Sequence, residues 1–174
     1  MHDPSLDVRA AVADRYTAVE LPYAGADLAM LVVVPTGTAT LDDVLAGLGD
    51  GGLGSVADGL SAAAVDLTLP RWETGSAADL APLMTGLGLP IPGGALPGLA
   101  PDLEIGAAVH AADITVDEAG TEAAAATAVG IEATSAPRSG EIVTVVADRP
   151  YLFAVRHVET GAPLFVGRVA DPRG

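Results

Sequence analysis

The chain has 174 residues, half of them hydrophobic and only 3% aromatic, with a formal net charge of −15. That length allows one domain with a real core, built mainly from Ala, Val and Leu with few large aromatic anchors. The acidity argues against nucleic acid and anionic membrane surfaces as partners and otherwise favours solubility.

No cysteine is present, so there is no disulfide framework and no clue to redox compartment. No apolar run approaches a transmembrane span. His2-Asp3-Pro4 is neither basic nor apolar, so no signal-peptide pattern opens the chain.

Residues 1–14 are weakly patterned. Tyr16 to Leu21 alternates and reads as a strand, and residues 22–27 read as a turn. Leu28 to Val34 is a continuous apolar run ended by Pro35, the pattern of a strand buried on both faces. Leu41 to Leu48 has helical spacing with Thr40 as N-cap. A second short helix is expected over 53–60, weakened by its glycines. Ala64 to Leu69 alternates, stops at Pro70 and is followed by Arg71-Trp72.

Ala78 to Leu87 reads as an amphipathic helix, with Ser76 as its cap, Pro82 near its first turn and Gly88 at its C-terminal end. Residues 88–102 are rich in Gly and Pro and read as a loop. Leu103 to Val116 reads as a long strand. The stretch from Asp117 to Val129 is ambiguous. Four alanines after Gly120-Thr121-Glu122 favour a short helix by propensity, with a loop or a strand as alternatives. As a strand it would place Thr121, Thr127 and Val129 on one face. A polar loop follows over 134–140. Strands over 151–158 and 163–169 should pair with the hairpin around Tyr23 in one small antiparallel sheet that buries Phe153 and Phe165.

Catalytic constellations do not emerge. His2, His110 and His157 sit in no zinc motif, no Gly-x-Ser-x-Gly elbow exists, and no phosphate-binding Gly loop is followed by a lysine. The expectation is no enzyme, no metal and no cofactor. Asp113, Asp117 and Glu118 fit no calcium loop and read as a solvated edge.

Two motifs carry a resemblance. Glu118-Ala119-Gly120-Thr121-Glu122-Ala123-Ala124-Ala125-Ala126-Thr127 resembles the hinge of the reactive-centre loop of inhibitory serpins. Ala147-Asp148-Arg149-Pro150-Tyr151-Leu152-Phe153, followed by Thr160-Gly161-Ala162-Pro163-Leu164-Phe165-Val166-Gly167-Arg168-Val169, resembles the serpin C-terminal signature. The pair Glu20-Leu21-Pro22-Tyr23 and Met30 to Pro35 is similar to the family's B-sheet hairpin, and Met1-His2 to the segment before that sheet's first strand. The loop Ile91 to Gly98 departs from the Phe and Asp-Leu-Ser-Gly-like turn usual in the family, which bears on local packing only.

The resemblance implies an α+β fold, predominantly antiparallel β-sheet with a few short helices, corresponding to the C-terminal half of a serpin with the N-terminal helical half missing. It implies a partial domain over 1–174: a hairpin at 14–35, short helices at 40–60, strands and one helix at 62–117, the reactive-centre loop at 118–140 and C-terminal strands at 141–174. It implies inhibition of a serine endopeptidase as a suicide substrate, with the cleaved loop inserting into a sheet. The alternative is a truncated, non-inhibitory serpin-derived chain or binding module. Family resemblance points to extracellular action, with the cytoplasm as the alternative, and an isolated chain is expected to self-associate.

The inserting segment must be extended and free of proline, and its inward side chains must be small and uncharged. Thr121, Ala123, Ala125, Thr127 and Val129 meet that condition, while Glu122 and Glu132 fall on the opposite parity. From Glu118 to Thr134 an extended chain spans roughly 50 Å at about 3.3 Å per residue. Family spacing counted forward from Glu118 gives Thr134-Ser135 as the scissile bond, suiting an elastase-like or subtilisin-like protease. Counting back from Pro150 gives Arg138-Ser139, suiting a trypsin-like one. Val109-His110-Ala111-Ala112 resembles a family segment whose histidine gates sheet opening. For an isolated chain, a satisfied or solvent-facing His110 is the competing expectation.

Overall fold

Leu28–Pro35 (β3) is the strand on which the larger part of the molecule is built. Seven of its eight residues are buried, as its unbroken apolar run requires. The computed structural model describes residues 1–25, 27–89, 107–117 and 142–173. It divides into two compact units, Met1–Trp72 with Val116–Gly174, and Glu73–Thr115.

In the larger unit β3 pairs antiparallel with Tyr16–Pro22 (β2) on one side and Tyr151–His157 (β8) on the other. His2–Val12 (β1) joins β2 and also Ser61–Thr68 (β4), while Pro163–Val169 (β9) adds beside β8. Val143–Val146 (β7) pairs with β4 and is parallel to it. The resulting sheet has the order β7-β4-β1-β2-β3-β8-β9. The antiparallel sheet expected from the hairpin and the C-terminal strands is thus present, as part of a larger one.

Helices Leu41–Gly47 (α1) and Gly52–Asp58 (α2), with a short 3-10 turn between them, cover one sheet face. Their apolar residues Leu41, Val44, Val56 and Ala57 cluster with Ala18, Leu31, Val33, Leu152 and Ala154. Thr40 caps α1 as its sequence suggests: its Oγ1 accepts from the Asp43 amide at 3.1 Å, and the Asp43 carboxylate accepts from the Thr40 amide at 2.9 Å. The β8–β9 hairpin turns through Gly161, whose φ of +71° is costly for any residue with a Cβ.

Trp72–Asp79 (β5) and Val109–Val116 (β6) form a two-stranded ribbon that lies in the smaller unit except for Trp72 and Val116. Leu80–Gly86 (α3) follows β5 directly.

Several expectations are corrected. Residues 2–12 form an 11-residue strand despite their weak pattern. Its register shifts between Asp3 and Leu6, around Pro4, which has no amide to give the ladder. The helix expected from Ala78 starts at Leu80, because Asp79 caps it, accepting from the Ala81 amide at 2.9 Å. The residues before it, including Ser76, are strand instead. The strand read from Leu103 begins at Val109, and 103–106 lie outside the described residues.

Phe153 is buried as expected, but Phe165 is 40% exposed. Among the described residues β9 is an edge strand with one neighbour, so little packs over its Phe165. Tyr16 to Leu21 was expected to alternate, yet Thr17, Ala18, Val19 and Glu20 are all buried, because the strand is covered on both faces.

Candidate functional site

Of the two motifs that carry the resemblance, the hinge-like one lies between β6 and β7, and the C-terminal one runs through β8 and β9. The hinge residues Glu118, Gly120, Thr121, Glu122, Ala123, Ala124, Ala125, Ala126 and Thr127 fall outside the described residues, as do Thr134, Ser135, Arg138 and Ser139. What the structure describes is the chain on either side. β6 runs up to Val116 within the ribbon. β7 takes the chain back into the seven-stranded sheet, pairing Val143, Thr144, Val145 and Val146 with Val65 to Thr68. The two ends of the intervening segment therefore belong to different sheets.

Within the ribbon, the Leu80 amide donates to the Ala108 carbonyl at 2.7 Å. Gly75 lies so close to Asp113 that a Cβ there would sit 2.4 Å from the carboxylate oxygen. The two contacts fit one antiparallel register, which continued to the other end sets Trp72 opposite Val116. His110 lies on β6 and faces solvent, and among the described residues it makes no hydrogen bond.

The other two histidines are tied locally. His2 Nδ1 is 3.1 Å from the Thr68 hydroxyl and 3.4 Å from an Asp66 carboxylate oxygen. His157 Nδ1 accepts from the Thr160 amide at 3.3 Å in the β8–β9 turn. No group of three or more metal-ligating side chains converges among the described residues. No helix among them is long and apolar enough to cross a membrane.

Two clusters went unread in the sequence. The first is centred on Glu20, which is only 5% exposed. Arg9 Nη1 donates to Glu20 Oε1 at 2.8 Å, and Arg156 Nε donates to Oε2 at 2.9 Å, with Arg156 Nη2 on the same oxygen. Arg9 Nη2 also donates to the carbonyls of Ala57 and Leu60, both at 3.1 Å, at the C-terminal end of α2. The carboxylate thus joins β1, β2 and β8, and Arg9 ties them to the helical layer. No periodicity announces this, because Arg9 and Arg156 lie on other strands, 11 and 136 residues from Glu20, and only the strand register brings them to one face.

The second cluster is aromatic. Trp72 packs on Phe153 with ring centroids 4.4 Å apart and a tilt of 43°. Gly167 leaves the space for that Phe153 ring: a Cβ on it would lie 2.6 Å from two ring carbons. Tyr151 is fully buried nearby in β8. Burial pushes its phenol above the ordinary tyrosine range, and the Trp72 indole N–H opposes that push from outside hydrogen-bond geometry.

An open cleft of about 590 Å³ lies beside α1, with Asp42, Asp148, Arg149 and Arg168 in its wall. Arg149 is already engaged, donating to Asp148 at 3.2 Å and to the Gly37 carbonyl at 3.1 Å.

Comparison with known proteins fits this architecture. The family model described as Serpin (serine protease inhibitor) matches residues 3–172. A probable serpin E3 from Danio rerio is 36% identical over 164 residues, covering 90% of this chain and 38% of that protein. A serine protease inhibitor from Cyanea capillata is 33% identical over 162 residues, covering 88% of this chain and 42% of that protein. The solved serpin of the trematode Schistosoma haematobium shares the fold with a TM-score of 0.77 at 18% identity, over 97% of this chain and 45% of that one. The chain spans about two fifths of the length of these curated relatives. With the family model matched from one end to the other and the fold shared, the chain belongs to the serpin family.

Proposed function

We propose that this chain inhibits serine endopeptidases as a suicide substrate, with 118–140 as the reactive-centre loop. The observation that carries the reading is the position of the hinge sequence. It joins a strand of the ribbon to a strand of the seven-stranded sheet. A cut at Thr134-Ser135 or Arg138-Ser139 would free the segment after Asp117 from β7 while leaving it attached to β6. The freed chain could then turn back and add alongside β6, where its main-chain groups find a ladder. Its inward side chains, Thr121 to Val129 on one parity, are small and uncharged, so burying them leaves no unpaired charge.

The partner is a serine endopeptidase, elastase-like or subtilisin-like if Thr134 is addressed and trypsin-like if Arg138 is. Family resemblance supports action outside the cell, with the cytoplasm as the alternative. One observation favours the alternative of a non-inhibitory chain: among the described residues β6 pairs only with β5. An inserted strand held on both sides needs a further strand.

The test is incubation with trypsin and with elastase, an SDS gel for a stable protease adduct, and mass spectrometry of the released C-terminal peptide. The parent should form the adduct. Thr127→Arg puts a charge on the inserting face, at several kcal/mol when unpaired, and should be cleaved with the protease left active. Glu122→Arg, of opposite parity, should still form the adduct. Full adduct yield from Thr127→Arg refutes insertion. Cleavage of the parent without adduct favours the non-inhibitory reading.

A further inference from the structure

β9 is the last strand of the seven-stranded sheet, and among the described residues it pairs only with β8. Its outer edge offers backbone amides and carbonyls to a further strand. Three consecutive large apolar residues stand there: Leu164 is 54% exposed, Phe165 40% and Val166 59%. Alternation sends Phe165 to one sheet face and Leu164 and Val166 to the other. An occupant laid on one face covers only part of that set, whereas a strand added in the plane of the sheet meets both sides at once. Edges are commonly blunted with charge or proline. Here Pro163 blunts only the first position, and Thr160 to Gly167 carry no charge in a chain of net −15. The uncharged stretch is bracketed by unlike charges. Exposed Glu159 sits in the β8–β9 turn before it, and exposed Arg168 follows it. An edge with unlike charges at its two ends is complementary to itself when turned end for end.

We propose that the outer edge of β9 docks a second copy of this chain, with the two β9 strands antiparallel across a two-fold axis near Phe165 and Val166. Each Arg168 then approaches the end of the other copy that carries Glu159. A parallel pairing sets Arg168 beside Arg168 and Glu159 beside Glu159, so charge selects the antiparallel one. The uncharged stretch is also where two acidic copies meet with least repulsion. One strand pair buries less than the about 1,200–2,000 Å² of a stable interface, so the dimer is weak and concentration-dependent. The pairing uses no residue of the proposed reactive-centre loop, so it fails or holds independently of protease inhibition.

The test is sedimentation equilibrium on the parent, Arg168→Glu, Glu159→Arg and the variant that carries both changes. The parent should show a monomer–dimer equilibrium. Each single change sets like charges against each other and should weaken the dimer at least about tenfold, and the double swap should return it to within about threefold of the parent. The chain has no cysteine, so a single introduced one reads the register. Under mild oxidation Val166→Cys, near the axis, should give a disulfide-linked dimer, whereas Ala162→Cys, away from it, should not. A parent that stays monomeric up to about 1 mM overturns the proposal and leaves the edge to a different chain. A double swap as weak as the single changes, or cross-linking at both Val166→Cys and Ala162→Cys as in a parallel or unspecific contact, overturns the antiparallel docking.

Discussion

Replacing Glu20 with Gln keeps its shape, removes its charge and turns one of its two acceptor oxygens into a donor NH2. In the parent, one carboxylate takes hydrogen bonds from two guanidiniums, at 2.8 Å from Arg9 and 2.9 Å from Arg156. Without the charge, two cations share a neutral amide. The Arg156 side chain is only 12% exposed and the Arg9 side chain 42%, so water can screen Arg9 but hardly Arg156. Removing one partner of a buried pair costs about 3–5 kcal/mol, because the remaining charge is left uncompensated. With a urea dependence of about 2 kcal/mol per M, the unfolding midpoint should fall by about 1.5–2.5 M. Trp72 fluorescence reports the transition in the larger unit. The double variant Glu20→Leu with Arg156→Leu, which removes both charges of the buried pair, should cost less than Glu20→Gln alone. A Glu20→Gln change within about 0.5 kcal/mol of the parent would equal a surface substitution and refute the reasoning.

Tyr151 supplies a pH dependence: its phenol titrates above the ordinary value in the folded chain, so the native state keeps the proton longer than the unfolded one. Stability should be complete below about pH 10 and fall above it by up to about 1.4 kcal/mol per pH unit, and Tyr151→Phe should flatten that limb; an unchanged slope in the variant rules Tyr151 out. Gly167→Ala should lower stability by about 1–3 kcal/mol through crowding of Phe153, read in a thermal melt, and an unaltered melt would show that the ring has room to move. The isolated chain should self-associate through β9, an edge strand among the described residues with Leu164, Phe165 and Val166 exposed. Val166→Lys should then shift size-exclusion profiles toward monomer, whereas a parent that elutes as a sharp monomer counts against the edge.

How much of this was readable in the sequence depended on whether the cause was local. The unbroken run Leu28 to Val34 announced a strand covered on both faces, and β3 is that strand. Thr40 and Asp43 announced a capped helix, because both halves of a capping box lie within one turn. β1 was hidden by Pro4 and a register shift, which blur alternation although the strand is long. β5 is hidden by Gly75 and small residues of weak strand propensity, so local pattern sets the start of the following helix two residues early. In both cases pairing with a distant strand decided what local preference could not.

Phe165 and Glu20 show the same limit from opposite sides. Phe165 belongs to an apolar run and was expected inside, but its place on an edge strand leaves it 40% exposed. Glu20 is a charge in a strand that seemed to alternate, a pattern that puts charge toward solvent, yet it is buried. Its burial is tolerable only because Arg9 lies directly across in β1 and Arg156 on the same face in β8. Sequence pattern reports the polarity of a residue, whereas its partner is set by register among strands, one of them here 136 residues away. The hinge is the reverse case. Its motif, from Glu118 to Thr127, is local and recognisable without any pairing. The function proposed for it is a cut followed by new pairing, in which the chain severed from β7 would add beside β6, and that is why the test must watch a strand move rather than a residue react.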